Sequence, residues 1–452
     1  MTIGTYRLGR RVALLSALLF PLAGSLMSRG AGAQETTPII FVHGNGDTAG
    51  LWLTTLWRFE TNGTPRDRMF ALDLRYPQAR AVDATPQPGR SSADEVMRQL
   101  AAEVTRVRQL TGAAKVILVA QSRGGNTVRN YLKNGGGGAQ TSLAILCGAV
   151  NHGVIVSDRY LVGSEFNGAS AFMRDLNASP GEVVAGVRFV TIRSDSQDKF
   201  AQPDGRHIAL PGIATGLSYD APDLQGATKI VLPGVDHRET GYAPQAFEAM
   251  YREVIGRSPV TLDIAAEVSP ILAGKISGFE AGAPTNIGVP GAGLAIHRVA
   301  ADNGLRIGPP AYAVITGADG LWGPFAADPQ ASYEFELSVP GAPVTHIYRS
   351  PFPRSSDVVH LRPQLFHGTD AEAVAVTYMT RPRGYFGLGR DAMLLDGASL
   401  PGVPAGVPTV ASSRLASARA DLAVVGAFNG ETIAARTWPT RDNHVAVIEI
   451  TR

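Results

Sequence analysis

Between Pro38 and Gly256 the chain alternates short apolar runs with longer amphipathic stretches, and this alternation limits the possible fold more than any other feature. Several apolar runs lack polar alternation, which is typical of strands buried on both faces. Strands that alternate with helices form a parallel sheet with helices on both sides. The predicted strands lie at 38–43, 68–74, 115–120, 142–148, 187–193 and 228–234.

The longest predicted helix lies between the second and third of these strands. Ser92, followed three residues later by Glu95, forms a capping box at its start. Shorter helices are predicted at 125–133 and 244–255. Apolar residues at helical spacing mark the long helix at Val96, Leu100, Val104, Val107 and Leu110.

After the predicted linker at 256–260, the pattern changes to short, partly alternating strand candidates separated by turn signals. One stretch at 412–423 resembles a helix. We expect one or two β-sandwich or barrel modules from about 260 to 452, with a division near Gln364. The strand candidates include 331–340, 344–350, 356–363 and 373–380.

The first 33 residues have the layout of an export signal. Arg10 and Arg11 precede an apolar stretch at 12–27, and Ala31-Gly32-Ala33 supplies a small-residue cleavage site. The arginine pair permits twin-arginine export, and a Sec signal also tolerates it. We predict a periplasmic or secreted protein whose mature chain has no transmembrane span, because no later run is long and apolar enough.

The net charge gives no indication of a nucleic-acid-binding protein, and the single cysteine excludes a fold stabilised by internal disulfides. The formal net charge is +2 for 452 residues, without a long basic run, so no nucleic-acid partner is expected. Cys147 is the only cysteine, which excludes an internal disulfide. Its apolar surroundings predict a buried strand residue rather than a reactive thiol.

Ser122 is the candidate nucleophile. It follows the strand at 115–120 and precedes a helix, with Ala120 and Gly124 as small residues two positions to either side. Such a strand–serine–helix turn needs small neighbours, since strand and helix approach closely. The alternative is a serine that only caps the helix.

A serine nucleophile needs a base and an acid farther along the chain. His237 follows the last predicted strand of the parallel sheet, and His207 is its competitor within a loop-rich insert. Asp195 and Asp198 both follow the strand at 187–193. Asp198 is favoured as the acid, because Asp195 lies close enough to the strand end to act as a turn residue.

Acyl transfer also requires donors for the developing oxyanion. The loop after the first strand contains His43, Gly44 and Asn45. We predict that the backbone N–H groups of Asn45 and Arg123 form this oxyanion hole. A plain glycine-rich turn is the alternative, and the loop lacks the sequence of a phosphate-binding or dinucleotide-binding site.

Taken in order, His43-Gly44, Ser122, Asp198 and His237 resemble the α/β-hydrolase superfamily, in particular bacterial and archaeal lipases and esterases. The resemblance covers roughly 38–256 and implies an α/β-hydrolase core that lacks the first strands of the full fold. Gln121 and Arg123 depart from the residues that are commoner beside the nucleophile. Separately, the stretch at 274–325 resembles a transthyretin-like or carboxypeptidase-regulatory-like β-sandwich. The predicted domains are an export signal at 1–33, a catalytic domain at 34–257, a transthyretin-like β-sandwich at 258–364 and a second β-rich module at 365–452.

Two insertions, at 151–177 and 200–226, follow strands at the sheet edge where open α/β sheets bind ligands. They are expected to shape the acyl pocket. The resemblance to lipases with β-rich C-terminal domains also implies contact between those modules and a lipid surface, although a purely structural role fits the modules equally well. The expected apolar wall residues are Trp52, Phe59, Leu161, Phe166, Phe172 and Met173.

The sequence therefore predicts an exported serine hydrolase of carboxylic esters, with a lipid or other small-molecule ester as substrate and an acyl-enzyme on Ser122. No organic cofactor or metal is expected, because no His, Cys and carboxylate cluster has ligand spacing. A short-chain esterase or polyesterase would use the same residues. A non-catalytic surface-binding protein on a hydrolase core is the alternative from another class.

Overall fold

The computed structural model describes residues 36–178 and 181–452. The export signal predicted at 1–33 lies outside these residues. Within the described ranges, no helix combines the length and the apolar character needed to cross a bilayer.

A six-stranded sheet forms the first half of the described chain, in the order β2-β1-β5-β6-β7-β8. Every neighbouring pair in it is parallel, and the short strands β3 and β4 pair separately. All six predicted strands are present, so the predicted α/β core is confirmed. The strands are β1 Ile39–Val42, β2 Met69–Leu72, β3 Gln78–Ala79, β4 Arg90–Ser91, β5 Val116–Gln121, β6 Thr141–Cys147, β7 Arg188–Ser194 and β8 Thr228–Leu232.

Four helices lie between these strands in the chain, and a fifth follows β8. Ser92 and Glu95 form the predicted capping box, with both reciprocal hydrogen bonds present. The predicted apolar residues of the long helix are buried except Leu110, which is 66% exposed in the last turn. The helices are α1 Leu53–Thr61, α2 Ala93–Thr111, α3 Arg123–Asn134, α4 Ala171–Leu176 and α5 Pro244–Ile255.

Both faces of the parallel sheet are covered. On β1, Phe41 points to a core shared with α1 and α5, whereas Ile40 points to a second core shared with α2 and α3. Leu118 and Val119 of β5 divide between the two cores in the same way. Successive strand side chains point to opposite faces, so burial of both faces explains the uninterrupted apolar runs in the sequence.

The second half of the chain is β-rich. Its largest sheet has seven strands in the order β13-β12-β15-β16-β22-β17-β19. The strands are β9 Ile271–Lys275, β10 Ser277–Glu280, β11 Ala283–Gly288, β12 Gly293–Val299, β13 Tyr312–Ile315, β14 Leu321–Ala326, β15 Ser332–Ser338, β16 Val344–Arg349, β17 Ala375–Thr380, β18 Met393–Leu395, β19 Ser412–Ser417, β20 Ala423–Phe428, β21 Glu431–Arg436 and β22 His444–Glu449.

Two expectations for this half need correction. The helix-like stretch at 412–423 contains strand β19, whose pairing with β17 overrides the local helix preference of its Arg, Leu and Ala residues. The strand candidate at 356–363 forms only isolated bridges, at Ser356 and Leu361. The division near Gln364 stays a prediction, and β16 pairs with β22 across it within the seven-stranded sheet.

The β-rich half packs directly on the α/β core. Nε1 of Trp57 in α1 donates to the Ser355 carbonyl at 2.9 Å, and the Trp57 and Phe352 rings meet edge to face at 6.3 Å. Nζ of Lys275 pairs with Asp73 at 2.8 Å. One apolar core also includes residues of both halves, so the two halves share part of their packing.

Close packing at the start of α3 yields a stability prediction. A Cβ on Gly124 would lie 2.6 Å from the Val42 carbonyl oxygen and 2.7 Å from that of His43, so backbone would have to move. Gly124→Ala should lower the free energy of unfolding by about 1–3 kcal/mol, measured by denaturant titration. Gly317→Ala is the matched control, since its Cβ would meet only a side-chain oxygen at 3.6 Å. Equal stability of both variants would contradict this packing.

Candidate active site

Ser122 lies at the junction between β5 and α3, in a sparsely populated backbone conformation with φ 53° and ψ −122°. Such strain is characteristic of a serine raised above the carboxyl edge of a sheet. Its N–H donates to the Cys147 carbonyl at 2.9 Å, which fixes the turn against β6. Its side chain makes no capping hydrogen bond to α3. The helix-cap alternative therefore loses its physical basis.

His237 and Asp198 meet at the same edge of the sheet. His237 lies in the loop between β8 and α5, and its Nδ1 is 2.8 Å from Oδ2 of Asp198. The carboxylate partner places the ring proton on Nδ1, which leaves Nε2 able to accept a proton. Nε2 is buried and has no hydrogen-bond partner in the described ranges. This pairing is the one that a general base and its orienting acid require.

The alternative acid and base, Asp195 and His207, form their contacts away from His237. The Asp195 carboxylate accepts hydrogen bonds from the backbone N–H groups of Gly234 at 3.0 Å and Gln197 at 3.2 Å, which is the role of a turn residue. His207 lies in a 3₁₀ turn at Gly205–Ile208, where burial lowers its pKa. Within the part of the chain that the structure describes, neither Asp195 nor His207 forms a hydrogen bond with His237.

Ser122, His237 and Asn45 line one cavity of about 230 Å³. Leu161 and Phe166 of the first insertion line it as predicted. The other four predicted wall residues do not line it. Trp52, Phe59 and Met173 are fully buried elsewhere, and Phe172 is also absent from the lining. Trp52 and Phe59 instead pack against Phe41 beneath the sheet. The remaining apolar wall consists of Val150, Val154, Phe200, Ile208 and Tyr385.

The loop after β1 is held by a buried histidine. The His43 ring contacts the Gly44 carbonyl through Nδ1 at 2.9 Å, and its Nε2 accepts from the Leu74 N–H at 3.1 Å. Burial lowers the pKa of His43, and both ring nitrogens contact backbone groups that hold the loop in place. The backbone N–H groups of Asn45 and Arg123 have no acceptor among the residues that the structure describes. Both remain available as oxyanion donors, which stays a prediction.

Gln121 and Arg123 have contacts that sequence reasoning did not identify. Nε2 of Gln121 donates to the His237 carbonyl at 3.0 Å, beside a second donor, Thr240 Oγ1, at 2.7 Å. The buried Arg123 guanidinium pairs with Glu165 at 2.6 Å and donates to Ser91. These two residues therefore hold the histidine loop and the first insertion around Ser122. In the sequence, the large cation directly after the candidate nucleophile Ser122 was the signal that could have indicated a buried anionic partner.

Removal of Arg123 should strongly destabilise the protein. Glu165 is 1% exposed, and its pKa is raised by burial, so Arg123→Met would leave a buried carboxylate without its cation. We expect a loss of about 3–5 kcal/mol at pH 8. The loss should shrink at pH 5. Because the pKa of Glu165 is raised in the folded protein, this carboxyl binds a proton there at a higher pH than in the unfolded chain, so the folded variant gains stability as the pH falls.

Denaturant titration at the two pH values measures this effect. Arg98→Met is the control, since its ion pair with Asp94 is more than half exposed and contributes little. A loss below 1 kcal/mol for Arg123→Met, or an equal loss in both variants, would contradict the assignment.

The β-rich half contributes residues to the site that no local sequence pattern indicated. Arg381 pairs with the fully buried Asp236, the neighbour of His237, at 2.9 Å. The Tyr385 N–H donates to the same carboxylate at 2.7 Å, and its ring lines the cavity.

A cation directly before the second insertion of the α/β core lies against the Tyr385 ring. Nζ of Lys199 lies 4.1 Å from the centre of that ring, and burial lowers the pKa of Lys199 to about 8.

One group of potential metal ligands occurs within the described ranges, formed by Glu334, Glu336 and His346 on β15 and β16. Arg306 pairs with both carboxylates and so supplies the positive charge that an ion would bring. None of these residues lines the Ser122 cavity.

Comparison with known families gives two matches. Residues 36–207 match the family described as Lipase (class 2), and residues 270–365 match the Lipase C-terminal domain. Together they confirm the resemblance to lipases and esterases and support a carboxylic ester hydrolase. The second match begins at the strand that opens the β-rich half.

Several solved structures are similar to part of the chain. Aspergillus fumigatus lipase B shares 17% identity over 52% of this chain, which covers 56% of that protein, with a TM-score of 0.35. Bacillus licheniformis lipase BlEst2 in mature form shares 17% identity over 50% of this chain and 94% of its own, with a TM-score of 0.38. Paleococcus ferrophilus monoacylglycerol lipase shares 12% identity over 49% of this chain and 96% of its own, with a TM-score of 0.32.

Proposed function

We propose that this α/β-hydrolase, whose residues 36–207 match the class 2 lipases, is a carboxylic ester hydrolase that cleaves lipid esters through an acyl-enzyme on Ser122. The observation that carries the proposal is the 2.8 Å contact between His237 and Asp198 beside the cavity that Ser122 lines. A structural histidine would use both ring nitrogens, whereas Nε2 of His237 is left without a partner in the described ranges.

The proposed reaction has two halves. His237 Nε2 takes the Ser122 hydroxyl proton as Oγ attacks the ester carbonyl, while Asp198 stabilises the imidazolium. The backbone N–H groups of Asn45 and Arg123 stabilise the oxyanion. The intermediate then collapses, and His237 gives its proton to the departing alcohol. Water, deprotonated by His237, attacks the acyl-enzyme and releases the carboxylic acid with Ser122 restored.

The cavity wall supports an acyl chain as the bound group. Seven apolar or aromatic side chains line it, among them Val154, Leu161, Phe166 and Ile208. Burial of methylene groups against such a wall contributes about 0.8 kcal/mol each, so longer acyl chains should bind more tightly than acetate.

A series of p-nitrophenyl esters from acetate to palmitate tests this substrate class. We expect kcat/KM to rise with chain length beyond acetate. Hydrolysis of acetate with no activity on the long esters would contradict the lipid proposal and favour a short-chain esterase. Ser122→Ala protein measured in parallel gives the background rate.

Tyr385 should contribute to chain-length preference, because its ring is the wall residue supplied by the β-rich half. Tyr385→Ala should lower kcat/KM for a long ester about tenfold and change that for acetate much less. Tyr219→Ala is the matched control, since Tyr219 is 38% exposed and absent from the cavity lining. Equal losses on both esters would show that Tyr385 has only a structural role.

Export completes the proposal. The arginine pair, the apolar stretch and Ala31-Gly32-Ala33 support cleavage after Ala33. N-terminal sequencing of the protein recovered outside the cytoplasm should begin at Gln34. An intact Met1 in that fraction would contradict cleavage.

Contact of the β-rich half with a lipid surface is likewise a proposal. Co-sedimentation of the protein with lipid vesicles tests it.

A further inference from the structure

A second cavity, of about 280 Å³, lies between the α/β core and the β-rich half. It is separate from the Ser122 cavity, although Asp47 and Arg238 line both. The charged side chains that line it are Asp47, Arg238, Arg349, Arg362, Arg383 and Glu449.

The wall of this cavity carries more positive than negative charge, with four guanidinium groups against two carboxylates. The carboxylates are already paired, Asp47 with Arg238 at 2.7 Å and Glu449 with Arg349 at 2.5 Å. Arg362 therefore lines the cavity without a carboxylate partner among the described residues.

Arg383 also lacks a carboxylate partner among the described residues. Its Nη2 donates to the carbonyls of Ile450 at 3.2 Å and Thr451 at 3.1 Å, which are neutral acceptors. Arg362 likewise donates to the Thr285 carbonyl and the Asn286 side chain, each at 2.9 Å. Burial lowers the pKa of Arg362 to about 10 and also lowers the pKa of Arg383. Arg383 is buried and Arg362 is half-buried. Guanidinium charge that is withdrawn from water and paired only with neutral groups is costly.

The cavity also has unused donors. Nε of Arg349 and Nε of Arg362 are buried and have no hydrogen-bond partner among the residues that the structure describes. Buried polar groups in folded proteins are nearly always satisfied, by protein, water or a ligand. Both Nε atoms are shielded from solvent, and Arg349 as a whole is only 6% exposed, so bulk water does not satisfy these two donors.

We propose that this cavity binds a small oxyanion, a carboxylate or a phosphate, whose oxygens accept hydrogen bonds from Arg362 and Arg383. Guanidinium groups bind such anions through charge-assisted and often bidentate hydrogen bonds. Two sources share this chemistry, the carboxylic acid released by ester hydrolysis and free inorganic phosphate. Binding requires neither Ser122 nor turnover, so it stands independently of the proposed catalytic function.

Thermal unfolding and isothermal titration calorimetry of the full-length protein test the proposal, with sodium phosphate and sodium acetate titrated separately at constant ionic strength. A ligand of the folded state raises the Tm in a saturable way. We expect this for at least one anion, with sodium chloride giving no saturable rise. A response to acetate identifies carboxylates as ligands, and a response to phosphate alone identifies phosphate.

Substitutions of the cavity arginines show whether the anion binds in this cavity. Arg362→Gln and Arg383→Gln should each weaken binding at least tenfold, whereas Arg441→Gln, at a side chain 86% exposed, should leave it unchanged. Should either variant fail to fold, the wild-type titration still decides. The absence of saturable stabilisation by both anions, or binding that neither cavity variant weakens, would overturn the proposal and leave a water-filled cavity.

Discussion

Ester hydrolysis should fall by at least about 10⁴-fold in kcat/KM when Ser122 is replaced by alanine, because the acyl-enzyme can no longer form. The rate on p-nitrophenyl butyrate measures the loss. Stability should stay close to that of the wild type, since the Ser122 side chain makes no capping hydrogen bond to α3. A serine that only capped the helix would give the opposite pattern, a loss of about 0.5–2 kcal/mol in stability with activity retained.

Ser142→Ala is the matched control for this variant. Ser142 is a partly buried strand serine whose Oγ donates to the Val116 carbonyl at 3.3 Å, and it does not line the cavity. Its activity should remain within about twofold of wild type. Similar activities of Ser122→Ala and the wild-type protein would contradict the nucleophile assignment.

Substitution of Asp198, the proposed acid of the triad, should show the second large effect on activity. Asp198→Asn should lower kcat/KM about 10⁴-fold, because an amide can donate to Nδ1 of His237 and so favour the wrong tautomer for proton transfer. The geometry behind this expectation is the 2.8 Å contact between the Asp198 carboxylate and that nitrogen.

Asp195→Asn provides the comparison, since both aspartates follow β7 and only their contacts differ. Asp195 accepts from the backbone at Gly234 and Gln197, and an asparagine carbonyl can keep one of those bonds. Its activity should change less than tenfold. A larger loss in Asp195→Asn than in Asp198→Asn would move the acid role to Asp195.

Local sequence pattern was enough to predict the parallel sheet, because burial on both faces leaves an uninterrupted apolar run at each strand. The start of α2 was equally accessible, since Ser92 and Glu95 interact within one turn. The order of Ser122, Asp198 and His237 along the chain also predicted which sheet edge they would share.

Contacts between distant segments could not be predicted. Tyr385 and Arg381 reach the histidine loop from the β-rich half, and no spacing in the sequence indicates such a contact. The apolar character of Trp52 and Phe59 fitted a pocket wall and a core equally well, and packing against Phe41 decided between them. The pairing of β16 with β22 is likewise a long-range interaction that no local pattern indicated.

Covalent labelling with a fluorophosphonate tests the central claim most directly, because the reagent reacts with a serine that is activated by its base. Folded wild-type protein should carry one adduct per chain, and peptide mapping should locate it on Ser122. Ser122→Ala and heat-unfolded protein should remain unlabelled. No adduct on Ser122 in folded protein, or an adduct on another serine, would contradict the account and favour a non-catalytic binding protein.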